Sequence, residues 1–284
     1  MDFKRIELIF IVVFACLNAY LLGSYWQYQN NAMGTSTSTS TSVTTILKEM
    51  RNDQINYVPL SDKNQTGYYA SAKINDLRDG ARRLTGQSYR ISDNRLYSSL
   101  NDPITINGKN PQKTLDAFVK NKANVINGNQ YDYNANLSSS SQIVYTQKIN
   151  HKTVFDKAGQ IIFNVNGNQE VTGYTQGYLF SNQQLRPAVK LISQTKAATL
   201  LYQYNEISNN SQIKWVELGY THILSNSQGE VYVPTWVLGV KSKSTGFETK
   251  RINAISGVLI KKDVGVATEP VMNMVKTAES VNDN

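Results

Sequence analysis

The stretch that decides the fold reads IKWVELGYTHILSNSQGEVYVPTWVLGVKSKSTGFETKRINAISGVLI, residues 213–260. Three runs in it are rich in β-branched and aromatic residues, and they cover residues 213–224, 230–240 and 248–260. Such runs, separated by segments that contain glycine and serine, are typical of consecutive strands. The first two runs are joined through Asn226–Gly229, a connection of hairpin length. We therefore predict neighbouring antiparallel strands in this part of the chain.

Upstream, short β-rich runs alternate with two helix patterns. Residues 110–122 and 193–205 repeat apolar residues at helical spacing, with Asn110 and Ser193 as natural N-caps. Asp156–Gly159, between two β-rich runs, is typical of a hairpin turn. Many strands within hairpin distance of each other, with few helices, predict an antiparallel α+β fold. Further strands are expected over residues 67–74, 87–91, 142–149 and 170–180.

The N-terminus carries the only long apolar run, LIFIVVFACLNAYLLGSYW at residues 8–26. As a helix these nineteen residues span about 28 Å, close to the hydrocarbon thickness of a bilayer. No clear A-x-A cleavage site follows, and the residues after Cys16 stay apolar, so we favour an uncleaved anchor over a signal peptide or a lipoprotein. Lys4 and Arg5 precede the run, which predicts a cytoplasmic N-terminus and an extracellular remainder.

Composition divides the rest of the chain. A strict Thr-Ser alternation follows the apolar run and has nothing to bury, which predicts a mobile linker. A polar stretch at Asn127–Ser141 predicts a boundary between two folded units. The expected segments are a stub (1–7), a membrane helix (8–26), a linker (27–42), a first α+β unit (43–141), a second α+β unit (142–265) and a flexible tail (266–284).

The chain is basic, and its charge follows the apolar run. The formal net charge is +8, while residues 1–7 sum to zero. A basic exterior is suited to solubility, and it also attracts anionic lipid head groups or acidic wall polymers. The sequence holds no recognisable nucleic-acid-binding motif. Cys16 is the single cysteine, so we expect the exterior to fold without disulfides.

Residues with catalytic or metal-binding chemistry are few. His151 and His222 are the two histidines, and neither has a second ligand at metal spacing, so no metal site is predicted. Ser193-Gln-Thr-Lys196, Ser92-Asp-Asn94 and Lys243-Ser-Thr-Gly246 match or approach motifs of penicillin-binding proteins and β-lactamases, but their order along the chain differs. We therefore predict no enzyme activity and no cofactor, and we assign Ser193 to a helix cap.

Four stretches give the sequence a resemblance to a known family: residues 1–22, VELGY (216–220), VPTW (233–236) and RINAISGVLI (251–260). With them the chain resembles the YycI family, single-span accessory proteins found with YycH beside the cell-wall-sensing histidine kinase YycG, or WalK, of Gram-positive bacteria. The helix at 193–205 and the strands after it are similar to a PepSY-type unit. The resemblance implies two PepSY-like or YycH-like extracellular units that pair with YycH. It also implies a non-enzymatic regulator whose membrane helix contacts those of the kinase and YycH.

One face of the apolar run fits this role from its residues alone. Ala15, Ala19 and Gly23 lie four apart, and Asn18 and Leu22 lie beside them. Small residues let a second helix approach closely, and a mid-membrane amide gains about 0.6–2 kcal/mol from a hydrogen bond across helices. We predict that these five residues contact a partner helix. The alternative is an extracellular binding protein for an anionic wall polymer or peptide, with the helix as a passive tether.

Overall fold

Helices form the N-terminal part of the protein, and strands dominate the rest. A computed structural model describes residues 3–33, 38–108, 110–226 and 229–261, so the predicted tail at 266–284 lies outside the described residues. The helices are α1 (Phe3–Met33), α2 (Ser38–Asn52), α3 (Arg78–Ala81), α4 (Gln112–Lys120) and α5 (Gln194–Gln203), with 3-10 turns at Gly128–Gln130 and Lys157–Gly159. The strands are β1 (Asn56–Tyr57), β2 (Thr66–Gly67), β3 (Ala70–Ile74), β4 (Gln87–Ser92), β5 (Arg95–Thr105), β6 (Asp132–Tyr133), β7 (Gln142–Thr146), β8 (Lys148–Ile149), β9 (Lys152–Thr153), β10 (Gln160–Val165), β11 (Glu170–Gln176), β12 (Leu179–Gln184), β13 (Val189–Lys190), β14 (Gln212–Asn226), β15 (Gly229–Ser242) and β16 (Gly246–Asn253).

The apolar run of the sequence lies in α1. The part of α1 from Glu7 to Ser24 is long and apolar enough to cross a membrane, by length and composition. Among the described helices it is the one that meets this criterion. The expected N-terminal apolar helix is therefore confirmed, and it fits a membrane anchor.

The described part of the Thr-Ser tract is helical. The sequence predicts a linker over residues 27–42, whereas α1 continues to Met33 and α2 begins at Ser38. Extending an existing helix adds one hydrogen bond per residue without a new nucleus, which lets α2 include serine and threonine despite their weak helix preference. The chain divides after Asn52 into a helical unit, formed by α1 and α2, and a β-rich unit.

A long hairpin organises the first sheet of the β-rich unit, called sheet I, which contains β1, β3, β12, β14, β15 and β16. On one side β15 pairs with β14 along its length. On its other side β15 pairs first with β3 and then, from Thr235 onward, with β16. β12 continues the sheet beyond β3, and β1 adds a short parallel pair at β14. The strands predicted from residues 213–260 thus lie in sheet I as β14, β15 and β16, although the third ends at Asn253 and not at Ile260.

The second sheet, called sheet II, is antiparallel in the order β4-β5-β11-β10-β7-β6. One of its faces packs against α3 and α4 through a cluster that includes Leu77, Leu115, Phe163 and Tyr174. Aromatic rings meet edge to face in this cluster, as in Phe118–Phe163 with 6.0 Å between centroids. The mixed α+β architecture with mostly antiparallel sheets is confirmed.

Each sheet takes strands from both of the ranges that the sequence divides at residue 141. β3 pairs with β12 and β15 in sheet I, and β5 pairs with β11 in sheet II. The chain passes from sheet I to sheet II between β3 and β4 and returns between β11 and β12, so strands distant in sequence are neighbours in both sheets. All described residues from Asp53 onward belong to one compact unit.

The helix α5 contacts β15 and β16 of sheet I. Ser193 is its N-cap, and its Oγ accepts a hydrogen bond from the Lys196 backbone N–H at 3.2 Å. The predicted cap is confirmed. Trp236 on β15 donates its indole N–H to the Ile192 carbonyl at 2.8 Å, which fixes the segment that leads into the helix.

Candidate functional site

The five predicted contact residues lie on one side of α1. At about 100° per residue, Ala15, Ala19 and Gly23 fall within about 80° around the helix axis, and Asn18 and Leu22 widen this arc to about 140°. Every side chain from Glu7 to Ser24 is exposed. Space around Gly23 is open, since a Cβ placed there has no atom within 4 Å among the neighbours considered. We call this side of α1 the small-residue face.

Asn18 is the polar group of the small-residue face. Its Nδ2 donates a hydrogen bond to the Phe14 carbonyl at 2.9 Å, one turn earlier in the helix. This local bond lowers the cost of placing an amide in lipid, because one N–H is satisfied within the helix. Within the described residues, Oδ1 and the second N–H of Asn18 have no hydrogen-bond partner. They are available to a second helix.

A cavity lies where the chain crosses between the two sheets, and the sequence did not indicate it. Its volume is about 490 Å³. We call it the junction cavity, because strands of sheet I and sheet II both border it. Its lining comes from four separate segments, at residues 129–132, 147–149, 154 and 178–182. Only the folded chain brings these segments together.

Two buried glutamines fix the crossing from β11 to β12, beside the junction cavity. Gln147 donates from Nε2 to the Leu179 carbonyl at 3.0 Å and accepts from the Leu179 N–H at 2.7 Å. Gln176 pairs in the same way with the backbone of Ile126, at 2.6 and 3.3 Å. Each glutamine side chain hydrogen-bonds to both the backbone N–H and the backbone C=O of one residue, as a neighbouring strand would. The walls at these points are therefore held by directional contacts.

Glycine is required at the crossing from β11 to β12. A Cβ at Gly177 would lie 2.6 Å from the Lys157 carbonyl oxygen and 2.7 Å from that of Ala158. The Tyr131 hydroxyl donates to the Gly177 carbonyl at 2.6 Å. Burial raises the pKa of Tyr131 well above its usual range, so this hydroxyl stays protonated and keeps donating.

A histidine, a carboxylate and a serine meet at the end of the β14–β15 hairpin. Glu230 Oε2 lies 2.6 Å from His222 Nε2 and 2.6 Å from Ser225 Oγ, and Ser225 Oγ lies 3.2 Å from the same Nε2. A Ser-His-acid triad uses the two different ring nitrogens of the histidine, one for the serine and one for the acid. Here both partners converge on one nitrogen. The cluster is a hydrogen-bonded hairpin end and lacks the geometry of a nucleophilic site.

The motifs that approach those of β-lactamases lie on three different elements. Ser193 caps α5, Ser92 is the last residue of β4, and Lys243 follows β15. No hydrogen bond or ion pair between described residues joins these three side chains. His151 is exposed in the turn from β8 to β9. The described residues hold no group of three histidine, cysteine, aspartate or glutamate side chains that could bind a metal.

A second cavity, of about 360 Å³, contains charged groups that pair with one another. Lys250 Nζ lies 3.2 Å from Glu206 Oε2 and 3.0 Å from Glu248 Oε2. Burial acts to lower the pKa of Lys250, but the hydrogen bonds to Glu248 and Glu206 outweigh it, and the pKa is raised. The lysine therefore stays charged and neutralised by two carboxylates.

A helix that fits a membrane anchor, joined to a mostly antiparallel α+β unit, defines a class of membrane-anchored protein. The family model described as YycI protein matches residues 34–255, which is most of the chain. The chain belongs to the YycI family. The match begins after α1, so the small-residue face lies outside it.

The YycI family is an accessory regulatory family of the YycG/WalK two-component system, and it is not known as a family of enzymes. Membership gives the chain a role in that regulatory system. No curated protein matches the chain. A crystal structure of an uncharacterized protein from Eubacterium rectale ATCC 33656 is similar, with 8% identity and a TM-score of 0.45 over 75% of this chain and 92% of that chain.

Proposed function

We propose that the protein is a non-enzymatic regulator that modulates a YycG/WalK-type sensor histidine kinase together with a YycH-type partner. α1 crosses the cell membrane once, with the N-terminus in the cytoplasm and the β-rich unit outside. Lys4 and Arg5, which precede the apolar run, support this orientation by the positive-inside rule. The small-residue face of α1 contacts the membrane helices of the kinase and of the YycH-type protein.

The observation that carries the proposal is the Asn18 amide beside Ala15, Ala19 and Gly23. A passive anchor gains nothing from an amide at mid-membrane, where a polar group is costly and leucine is favourable. Two polar positions of the Asn18 side chain are left after the bond to Phe14. A partner helix that approaches over the small residues brings its own polar groups within reach of them. The expected gain is about 0.6–2 kcal/mol, enough to bias association between helices.

The proposal is tested with two pairs of matched variants. Asn18→Leu removes the amide, and the double variant Asn18→Leu/Leu17→Asn keeps the composition but moves the amide about 100° around the helix. Gly23→Ile blocks close approach, whereas Ser24→Ile places the same bulk on the opposite side. We measure membrane level, co-purification with the kinase and the YycH-type protein, and transcription that depends on the kinase.

We expect Asn18→Leu and Gly23→Ile to reach normal membrane levels, to lose co-purification and to change kinase output. The double variant should lose co-purification and change kinase output as Asn18→Leu does, and Ser24→Ile should behave like the wild type. Normal association and output in both face variants, at normal protein level, would make α1 a passive tether. Replacing residues 8–26 by an unrelated membrane helix would then leave function intact, as the anionic-polymer alternative requires.

A further inference from the structure

The rim of the junction cavity carries polar groups that the fold does not use. The side chains of Asn129 and Asn182 are exposed and make no hydrogen bond within the described residues. Ser181, another lining residue, is in the left-handed backbone region with φ of 54°, at an irregularity in the pairing of β12 with β3. Non-glycine residues rarely adopt this conformation, and irregularities of this kind re-aim side chains beside functional sites. The rim therefore presents neutral hydrogen-bonding groups to a ligand.

Charges in the junction cavity cancel locally. Asp132 and Lys148 line it, and their side chains form an ion pair with 2.8 Å between Oδ2 and Nζ. The remaining polar lining groups are uncharged amides and two hydroxyls, and they belong to Asn129, Gln130, Gln147, Tyr178, Ser181 and Asn182. A ligand with a strong charge would meet no unpaired opposite charge among them. Charge complementarity thus favours a neutral ligand, although the chain as a whole is basic.

Apolar and aromatic surface completes the junction cavity. Ile149, Val154 and Leu179 form its buried floor. Phe180 is 39% exposed at the rim, and Tyr178 lines the wall with its hydroxyl bonded to Gln130 Oε1 at 3.1 Å. A volume of about 490 Å³ lies within the range of about 300–1,000 Å³ typical of small-molecule sites. The walls are held by the Gln147–Leu179 and Tyr131–Gly177 bonds, so little ordering is needed on binding.

We propose that the junction cavity binds a neutral oligosaccharide of two or three rings that carries acetamido groups. A pyranose ring has apolar C–H faces that suit the exposed Phe180 ring, and hydroxyl groups at its edge that suit Asn129 and Asn182. An acetamido group adds a donor and an acceptor that match an asparagine or glutamine amide, and its methyl group suits the floor. The proposal uses no residue of α1 and stands independently of the proposed function.

The test uses the full-length protein in an amine-oxide detergent, because a detergent with a sugar head group would compete for the site. The probe is N,N′,N″-triacetylchitotriose, followed by saturation-transfer NMR and calorimetry. Cellotriose, which has the same linkage without acetamido groups, is the matched ligand control, and tetraalanine represents a peptide. Asn129→Leu, Asn182→Leu and Phe180→Ala change exposed rim residues, and Asn209→Leu changes an exposed asparagine outside the cavity lining.

We expect the acetylated trisaccharide to bind, and cellotriose and tetraalanine to bind at least tenfold more weakly. Each rim variant should weaken binding about tenfold, as expected for the loss of one good contact, and Asn209→Leu should not. Circular dichroism identifies which of the four variants keep the wild-type fold, and any one folded rim variant suffices for the comparison with Asn209→Leu. The proposal is overturned if the trisaccharide does not bind, if cellotriose binds equally well, if tetraalanine binds more tightly, or if folded rim variants bind normally.

Discussion

Replacing Gln147 by leucine tests whether one buried amide holds the crossing between the sheets. Gln147 is 5% exposed, and its side chain makes both hydrogen bonds of the Leu179 backbone, at 3.0 and 2.7 Å. Leucine has a similar size but cannot make either bond. The substitution therefore leaves one buried N–H and one buried C=O of Leu179 without a partner.

The expected cost follows from two opposing contributions. Each buried backbone group that loses its partner costs about 1–3 kcal/mol, or about 2–6 kcal/mol for both. Burying the leucine side chain returns about 1.5–3 kcal/mol, since it is apolar. We therefore expect Gln147→Leu to lower the free energy of unfolding of the β-rich unit by about 2 kcal/mol. Gln212→Leu, at an exposed position of β14, should leave it within about 0.5 kcal/mol.

The assay is urea unfolding of the full chain in detergent, followed by near-ultraviolet circular dichroism, with hydrogen exchange read by mass spectrometry. Peptides that contain Leu179 should exchange faster in Gln147→Leu, because the Leu179 N–H is no longer bonded. Peptides from β14 and β15 should exchange faster only by the amount that the lower global stability accounts for. An unchanged unfolding midpoint together with unchanged exchange at Leu179 would refute this role of Gln147.

Three further predictions concern the β-rich unit. Ser193→Ala should lower the free energy of unfolding by about 0.5–2 kcal/mol, because α5 loses its N-cap. A β-lactam incubated with the protein should leave no adduct on Ser193 in mass spectra, and an adduct there would contradict the cap role. Gly239→Ala should destabilise the β-rich unit by about 1–3 kcal/mol in thermal unfolding, because a Cβ would lie 2.3 Å from the Trp215 ring. Gly167→Ala, where a Cβ meets open space, should be nearly neutral, and equal effects of the two variants would contradict this packing argument. Burial, aided by Tyr68, raises the pKa of Tyr220 to about 12, whereas its value in the unfolded chain is about 10. The protonated Tyr220 hydroxyl therefore contributes its full stabilisation below pH 10, and this stabilisation is lost as the pH rises through 12. Thermal midpoints across this range should fall less steeply in Tyr220→Phe than in the wild type, and equal slopes would contradict this reading.

Local patterns made α1, α4, α5 and the three strands of residues 213–260 predictable. Each has a periodicity or a cap that is complete within its own segment, as Ser193 shows for α5. The small-residue face could also be predicted from the sequence, because helical spacing alone places Ala15, Asn18 and Gly23 on one side of α1.

Strands that depend on distant partners were not predictable. β5 contains serines, an asparagine, an aspartate and Pro103, and its sequence has no strand pattern. It is central because β4 and β11 pair with it on its two sides, and Pro103 lies where the pairing with β11 shifts register. Sequence reasoning also expected one strand over residues 170–180, whereas Gly177 divides it between two sheets.

The hairpin predicted at Asp156–Gly159 was wrong. Asp156 accepts a hydrogen bond from the Ala158 N–H at 2.8 Å and caps a 3-10 turn, so the residues do form a turn. The strand before it, β9, pairs with β8, and β10 pairs with β7 and β11. Turn chemistry alone does not reveal which strands will pair. The junction cavity escaped prediction for the same reason, since tertiary contacts assemble its four segments.

Photo-crosslinking from single positions of α1 tests the central claim most directly. A photoreactive amino acid is placed at Ala15, Ala19 or Gly23 on the small-residue face, and at Val13, Leu17 or Ser24 on the opposite side, in cells that contain the kinase and the YycH-type protein. If the small-residue face contacts partner helices, crosslinks to those two proteins will form from the first set and be weak or absent from the second. Equal crosslinking from both sides, or none from the small-residue face at normal protein level, would contradict a regulator that acts through this face of α1.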